Sequence, residues 1–473
     1  MDFCRFGQKR FVDFCKKIYI CSIKSKSYSI MVFRRKLYDK MLQWKQHWQG
    51  KYALLIEGAR RVGKSTLVEE FARKEYKSYI LIDFSRTSKK IVDLFDDTTD
   101  LDYFFVVLQG IFDVRLYERE SVIVFDEVQN FPAARQAIKH LVKDGRYDYI
   151  ETGSLISIRK NVQNIVIPSE ETALTLHPMD LEEFYWAMGN DVAPEQQKKI
   201  FSLKRAAGDM LHRRWMRDLR LYMLVGGMPQ AVAAYIEYNN LQEVDNVKRE
   251  ILRLYNTDFN KIDSSGSAAR IFKNIPAQLT GNASRYMIAS AIEGRRTDTI
   301  DNVISEMRES KIINLSYHCS DPNVGLSLHK SLDAYKMFTA DTGLFVTLAF
   351  WDKNYTENVI YQKLLTDKLE ANLGYVYENL VAQMLTASGN ELFYYSFPTG
   401  NGNKNYEVDF LLSRGNKLLP IEVKSSGYKA HKSLDEFCVK YSSRIGDRVL
   451  LYTKDYQSDY QTLLIPIYMT GLI

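Results

Sequence analysis

The sequence predicts an α/β protein whose core is a parallel β-sheet. Short apolar runs rich in β-branched residues alternate with stretches of helical periodicity in the first half of the chain. A glycine-rich loop also stands where the first apolar run meets the first helical stretch. The predicted strands are Tyr52–Gly58, Ser78–Phe84, Ser121–Phe125, Tyr147–Glu151 and Ala173–Leu176.

Length and composition indicate an ordered protein of two to four domains. The chain has 473 residues, of which 46% are hydrophobic, so it can form large cores. Residues 1–50 hold 12 Lys+Arg against 3 Asp+Glu, so of the formal net charge of +6 the remainder carries −3. A uniformly basic nucleic-acid binder is therefore excluded, and any contact with DNA needs a local patch.

Cysteine usage and hydropathy predict a cytoplasmic protein. The five cysteines are scattered without a C-x-x-C pair, which is typical of a reducing compartment. The apolar runs are shorter than the ~18–20 residues that cross a membrane. We therefore expect no membrane partner.

The loop after the first strand predicts a phosphate-binding site. It fits the pattern G-x-x-x-x-G-K-[ST], and the strand before it and helix after it are the context that this motif requires. Glycines let successive N–H groups point inward at an anion, and the helix N-terminus adds partial positive charge. Lys64 would reach the β- and γ-phosphates of ATP, and Ser65 would bind Mg²⁺. The predicted nucleotide-binding residues are Gly58, Ala59, Arg60, Arg61, Val62, Gly63, Lys64, Ser65 and Thr66.

Two acidic residues at the end of the third strand are the predicted hydrolytic groups. Asp126 would hold Mg²⁺ together with Ser65, and Glu127 would activate water. The alternative is that this acidic pair only begins the next helix. Thr152 and Ser154 end the fourth strand, where they would either sense the γ-phosphate or form a plain turn.

The order of these motifs resembles prokaryotic ATPases of the AAA+ superfamily that carry an uncharacterised C-terminal domain. The segments that carry the resemblance are GARRVGKST, IVFDEVQNFP, ETGS, LTLHPMDLEEF and LVGGMPQAV, and it extends over residues 33–473. It implies Mg-ATP hydrolysis and a helical lid that moves with nucleotide state. Where relatives often have a Gly-Arg pair, this sequence has Ser169-Glu170-Glu171. The candidates for an arginine finger are therefore local ones, and the alternative is that each is a surface arginine: Arg159, Arg213 and Arg214.

Motif order and resemblance together predict five segments. They are a basic N-terminal extension (1–32), a P-loop AAA+ core (33–179), a helical lid (180–262), a winged-helix-like region (263–350) and a restriction-endonuclease-like α/β domain (351–473).

The winged-helix prediction rests on three helices followed by short strands. The expected helices are Ile271–Leu279, Ser284–Ile292 and Asp298–Ser310, and the expected strands are Ile312–Tyr317, Leu326–His329 and Tyr335–Thr339. Such a region would either contact DNA phosphates through basic side chains or serve only protein packing.

A second constellation in the C-terminal domain resembles restriction-endonuclease-like nucleases. The resemblance implies a second divalent metal held by Glu378, Asp409 and Glu422, with Lys424 positioning the attacking water. The alternative is an ion pair on one strand face in a protein without nuclease activity, because Glu422 and Lys424 lie two residues apart.

Two functions stay open at this point. One is an ATPase coupled to DNA binding or processing through the C-terminal domain. The other is a nucleotide-dependent switch or scaffold with an inactive C-terminal domain. ATP and Mg²⁺ are expected in both cases. The further expected partners are DNA for the first function, a protein partner for the second, and other copies of the chain in either.

Overall fold

The computed structural model describes residues 31–96, 98–153, 169–281, 284–292, 298–352, 365, 374–400, 404–426, 429–459 and 462–473. The chain divides into two units, Met1–Val32 and Phe33–Ile473. The helices and strands named below all belong to the second unit. The predicted basic extension lies outside the described residues up to position 30.

A five-stranded parallel sheet forms the first half of this unit. Its strands are β1 (Ala53–Glu57), β2 (Ser78–Asp83), β3 (Ser121–Asp126), β4 (Asp148–Gly153) and β5 (Glu171–Thr175). Their order is β2-β3-β4-β1-β5, so β4 lies between β1 and β3. The carboxyl ends of parallel strands meet at one edge, which is where open α/β sheets bind ligands. The predicted α/β fold with a parallel sheet is confirmed.

Amphipathic helices cover this sheet. They are α1 (Leu37–Trp48), α2 (Lys64–Glu75), α3 (Lys89–Leu94), α4 (Leu101–Phe112) and α5 (Pro132–Asp144). The helix after the glycine-rich loop, α2, buries Leu67, Val68 and Phe71 at helical spacing. β3 is buried along its whole length, which explains its continuous apolar sequence.

Five helices follow in the segment predicted to be a lid. They are α6 (Leu181–Ala187), α7 (Val192–Leu203), α8 (Asp209–Val225), α9 (Pro229–Tyr238) and α10 (Leu241–Ile262). Asp180 and Glu183 form a capping box at the start of α6. Pro229 occupies the first turn of α9, where its missing N–H is no loss.

The next helices differ in part from the prediction. They are α11 (Ser267–Lys273), α12 (Ile275–Thr280) and α13 (Asp298–Glu309). The single helix predicted at Ile271–Leu279 is interrupted just before Pro276, whose ring lacks the N–H that would continue it. The helix predicted at Ser284–Ile292 is wrong. There the Tyr286 N–H donates to the Tyr335 carbonyl instead of to its own helix, and only a 3₁₀ turn follows.

An eight-stranded mixed sheet forms the second half of the unit. Its strands are β6 (Ile313–Cys319), β7 (Lys330–Thr339), β8 (Leu392–Pro398), β9 (Asn405–Arg414), β10 (Lys417–Lys424), β11 (Arg448–Tyr452), β12 (Gln457–Asp459) and β13 (Thr462–Pro466). Its order is β12-β13-β11-β10-β9-β8-β6-β7. The associated helices are α14 (Thr342–Ala349), α15 (Gly374–Ala387) and α16 (Lys432–Lys440).

This sheet bears on two predictions. The strand predicted at Leu326–His329 is wrong, because a left-handed Gly325 starts a 3₁₀ helix there. Strands on both sides of the predicted boundary between residues 350 and 351 share one sheet, since β6 pairs with β8. The winged-helix and endonuclease-like assignments stay predictions.

Within the described part of the chain, every helix is too short or too polar to cross a bilayer.

Candidate nucleotide site

The loop between β1 and α2 has the backbone conformation that its glycines allow. Gly58, Arg61 and Gly63 have φ angles of 154°, 68° and 97°. A Cβ at Gly58 would lie 2.3 Å from the Leu176 carbonyl oxygen, so the loop approaches β5 closely at this point. The loop can therefore curl tightly in front of the α2 N-terminus.

Lys64 lies almost wholly buried inside this curl. Its side chain is 5% exposed, and its Nζ donates to the carbonyl oxygens of Gly58 at 3.0 Å and Ala59 at 3.1 Å. Burial lowers the pKa of the ammonium, while the carboxylates of Glu127 and Asp126 oppose that change. A buried cation that relies on carbonyl dipoles is well suited to gain an anionic ligand.

Two hydroxyls meet the carboxylate at the end of β3. Ser65 Oγ donates to Asp126 Oδ1 at 2.7 Å, and Thr152 Oγ1 donates to the same oxygen. These residues come from α2, β3 and β4, so the order of the strands brings them together. Hydroxyl and carboxylate oxygens are the hard ligands that Mg²⁺ prefers, and Ser65 and Asp126 therefore fit the predicted metal.

Glu127 follows in a left-handed conformation with φ of 55°. Its N–H donates to Thr152 Oγ1 at 3.1 Å, and its carboxylate accepts a hydrogen bond from Gln129 Nε2. Thr152 thus fixes both acidic residues. Sequence reasoning missed Gln129, although its position two residues after the acidic pair is a usable signal. Ser154 and Arg159 lie outside the described residues.

Arginines outside the motif's fixed positions hold the loop from two sides. Arg35 Nη1 donates to the Val62 carbonyl at 3.0 Å, and its Nη2 donates to the His177 carbonyl. Arg60 Nη1 lies 2.8 Å and 3.0 Å from the two carboxylate oxygens of Asp258 on α10. The loop is therefore connected to α10, a helix of the segment that was predicted to be a lid.

Further contacts join the site to both later segments. Tyr255 Oη on α10 donates to the Arg60 carbonyl at 3.1 Å. Glu57, the last residue of β1, accepts from Thr175 Oγ1 at 2.7 Å and pairs with Lys311 Nζ at 3.0 Å. Lys311 follows α13, so the middle region reaches the strand that leads into the loop. Sequence reasoning missed these contacts.

The two remaining arginine-finger candidates lie on α8. Arg213 and Arg214 are both exposed, and Arg213 forms a solvent-exposed pair with Asp209 at 3.6 Å. Within one copy of the chain, Arg213 and Arg214 therefore have the position of surface arginines, which was the alternative to an arginine finger.

The four residues predicted for a second metal come close together but are engaged in hydrogen bonds and ion pairs within the chain. Lys424 Nζ lies 2.7 Å from Glu422 Oε1, and Asp409 Oδ2 accepts from the Val423 N–H at 2.8 Å. Glu378 lies 3.8 Å from the ammonium of Lys336, a residue that sequence reasoning missed. Among the described residues, no three His, Cys, Asp or Glu side chains are arranged to hold a metal ion.

Fold and loop define the segment from α1 to β5 as a P-loop nucleotide-binding unit. Residues 50–185 match a family model described as an AAA domain. The predicted resemblance to P-loop ATPases of the AAA+ superfamily is thereby confirmed for this segment. Residues 216–355 and 373–470 match two families described as domains of unknown function (DUF8612 and DUF4143).

Solved structures with similarity to the chain include those of the following three proteins. The Walker-type ATPase of Pyrococcus abyssi is 15% identical, with coverage of 67% of this chain and 96% of that one and a TM-score of 0.40. Cdc6p from Pyrobaculum aerophilum is 11% identical, with coverage of 74% and 98% and a TM-score of 0.26. The RuvB Holliday junction branch migration motor of Thermotoga maritima is 13% identical, with coverage of 59% and 89% and a TM-score of 0.26. No curated protein sequence matches the chain.

Proposed function

We propose that the chain binds Mg-ATP in the loop Gly58–Thr66 and hydrolyses it. The observation that carries this proposal is the meeting of Ser65, Asp126 and Thr152 at one carboxylate oxygen, on the strand edge that also holds the buried Lys64. Such a set of oxygens beside an ammonium is what a metal-bound triphosphate needs.

Binding would use the main chain and one side chain. The loop N–H groups and the α2 N-terminus would surround the β-phosphate. Lys64 would exchange the carbonyl oxygens of Gly58 and Ala59 for phosphate oxygens, which are charged acceptors and form stronger hydrogen bonds. Mg²⁺, held by Ser65 and Asp126, would supply further positive charge to the phosphates.

Hydrolysis would depend on Glu127. Its carboxylate would accept the proton of the attacking water, while Gln129 holds that carboxylate in place. Thr152 would fix the turn through the Glu127 N–H and the Asp126 carboxylate at once. Ser154 stays a predicted sensor of the γ-phosphate.

Substitution of Glu127 separates binding from hydrolysis. We expect Glu127→Gln to keep ATP affinity within about threefold and to lower turnover by ~10²–10⁴, the usual contribution of a general base. Glu118→Gln, at an exposed glutamate, is the matched control and should leave both quantities unchanged. The two measurements are equilibrium binding of ATP and steady-state phosphate release. Wild-type turnover in the Glu127→Gln protein would overturn this role.

The contacts around the loop favour a nucleotide-controlled switch as the use of the ATP cycle. When ATP binds, Arg60 would move with the loop. Because Arg60 is paired with Asp258 on α10, that helix would move as well. A second connection leads to the helix α15: Gln383 on α15 donates to Tyr222 Oη, which donates to the Met179 carbonyl beside the turn between α8 and α9. Both connections are buried or partly buried, so they can couple movements of the segments.

The alternative use is DNA processing, with the C-terminal domain cutting nucleic acid. A matched assay separates the two uses: ATP turnover with and without single- and double-stranded DNA, and DNA cleavage scored in the same tubes. The switch predicts slow turnover and no cleavage product with Mg²⁺ or Mn²⁺. Cleavage that Asp409→Ala abolishes would instead establish the nuclease.

A further inference from the structure

The carboxylates of Glu378, Glu407, Asp409 and Glu422 form an acidic cluster at the second sheet. This cluster contains a cation of its own. Lys336 on β7 is only 7% exposed at its side chain. Its Nζ donates to Glu407 Oε1 and lies 3.8 Å from Glu378 Oε2. Glu407 belongs to β9 and Glu378 to α15, so the ammonium joins two elements that each contribute a carboxylate.

The burial of Lys336 is unfavourable unless carboxylates surround it. A fully desolvated ammonium is costly in a protein interior, and it is retained only where it is paired and hydrogen-bonded. Lys336 meets both conditions, because its ammonium donates to Glu407 and lies 3.8 Å from Glu378, while the Asp409 carboxylate also attracts it.

The other carboxylates of the cluster also have partners within the chain. Glu422 pairs with Lys424 at 2.7 Å and accepts from the Leu434 N–H at 3.3 Å. Asp409 accepts from the Val423 N–H. Four carboxylates thus face two ammonium groups.

A divalent ion would compete with this arrangement directly. It needs several oxygen ligands at ~2.0–2.6 Å, and two of the candidate oxygens already face the Lys336 ammonium. The like charges of the ion and the ammonium would also repel each other at short range. We propose that Lys336 is the resident cation of this cluster and takes the place that a divalent metal has in a metal-dependent nuclease.

Titration with Mn²⁺ in the absence of nucleotide tests this proposal on the full chain. Binding is followed by the loss of the free Mn²⁺ signal in electron paramagnetic resonance. The first comparison is wild type against Asp409→Asn. We expect identical curves, because the cluster holds no metal and any weak binding belongs elsewhere. Wild-type binding that Asp409→Asn removes would overturn the proposal.

The second comparison removes the internal cation. Lys336→Met leaves Glu378, Glu407 and Asp409 without their ammonium, so we expect Mn²⁺ affinity to rise at least tenfold and Mn²⁺ to raise the melting temperature of this variant. Adding Asp409→Asn should abolish the gain. A folded Lys336→Met protein without any gain would contradict the proposal.

A matched control lies on the same strand. Lys330 also pairs with a glutamate, Glu391, but outside the cluster. Lys330→Met should therefore leave Mn²⁺ binding unchanged, and a gain as large as that of Lys336→Met would contradict the proposal. If Lys336→Met does not fold, the comparison of wild type with Asp409→Asn still decides. All of these results are independent of ATP hydrolysis.

Discussion

The turn between α8 and α9 approaches the segment between β5 and α6 so closely that its glycine Gly227 is irreplaceable. A Cβ at Gly227 would lie 2.1 Å from the carbonyl oxygen of Met179 and 2.7 Å from its nitrogen. The Gly227 carbonyl accepts from the Met179 N–H at 2.7 Å, and the Gly227 N–H donates to Asp341 Oδ2 at 2.6 Å. Gly227→Ala must therefore separate two backbones that hydrogen-bond to each other.

The expected loss of stability follows from these contacts. Overpacking of a filled site costs ~1–3 kcal/mol. Each of the two buried hydrogen bonds contributes ~1 kcal/mol, and more where a polar group is left unsatisfied. The sum is about 3–5 kcal/mol. An unfolding entropy of ~2.1 cal/mol/K per residue over Phe33–Ile473 makes 1 kcal/mol correspond to about 1 °C in melting temperature, so we expect Gly227→Ala to melt roughly 3–5 °C below wild type.

The same substitution at another glycine is the control. Gly110 lies inside α4, and a Cβ there would meet no atom within 4 Å. Gly110→Ala should stabilise the protein by ~0.5–1 kcal/mol, because alanine loses less backbone entropy in a helix. Thermal unfolding of the three proteins at one scan rate is the assay. If Gly227→Ala melts at the wild-type temperature, the close packing of Gly227 against Met179 is refuted.

Two further predictions concern residues around the loop. Burial, helped by Lys311 and Arg35, lowers the pKa of His177 to about 4, so the folded protein keeps this side chain neutral while the unfolded chain protonates it below ~6.5. The free energy of unfolding should therefore fall by at most ~3 kcal/mol as the pH drops from 6.5 to 4. The melting temperature should fall over the same range, and His177→Gln should flatten that slope. An unchanged slope would contradict the assignment. The pair of Arg60 and Asp258 should show a coupling of ~1 kcal/mol in a double-mutant cycle of Arg60→Met and Asp258→Asn, because the arginine is partly exposed. Additive shifts in melting temperature would show that this ion pair does not tie the loop to α10.

Local pattern was enough to predict the parts of the site that lie along one stretch of chain. The run from β1 through Gly58 to Lys64 carries its own strand, turn and helix signals, and the apolar β3 places Asp126 at its end. The strand that carries Glu422 and Lys424 was predicted in the same way.

Contacts between distant segments could not be predicted from the sequence. Arg60 and Asp258 are 198 positions apart, and neither has a local signal that names the other. In the sequence, Lys336 is an ordinary polar residue of a short predicted strand. Its importance becomes visible only in the structure, where the pairing of β6 with β8 joins the β6–β7 pair to the C-terminal strands. The mispredicted helix at Ser284–Ile292 has the same cause, because its backbone is paired with a strand that lies far along the chain.

Equilibrium binding of Mg-ATP to wild type and to Lys64→Ala tests the nucleotide site most directly. The ammonium of Lys64 is buried within the curl of the loop, so its removal should weaken binding at least a hundredfold while the melting temperature without nucleotide stays close to that of wild type. Equal affinity of the two proteins for ATP would contradict the assignment of the nucleotide to the loop between β1 and α2.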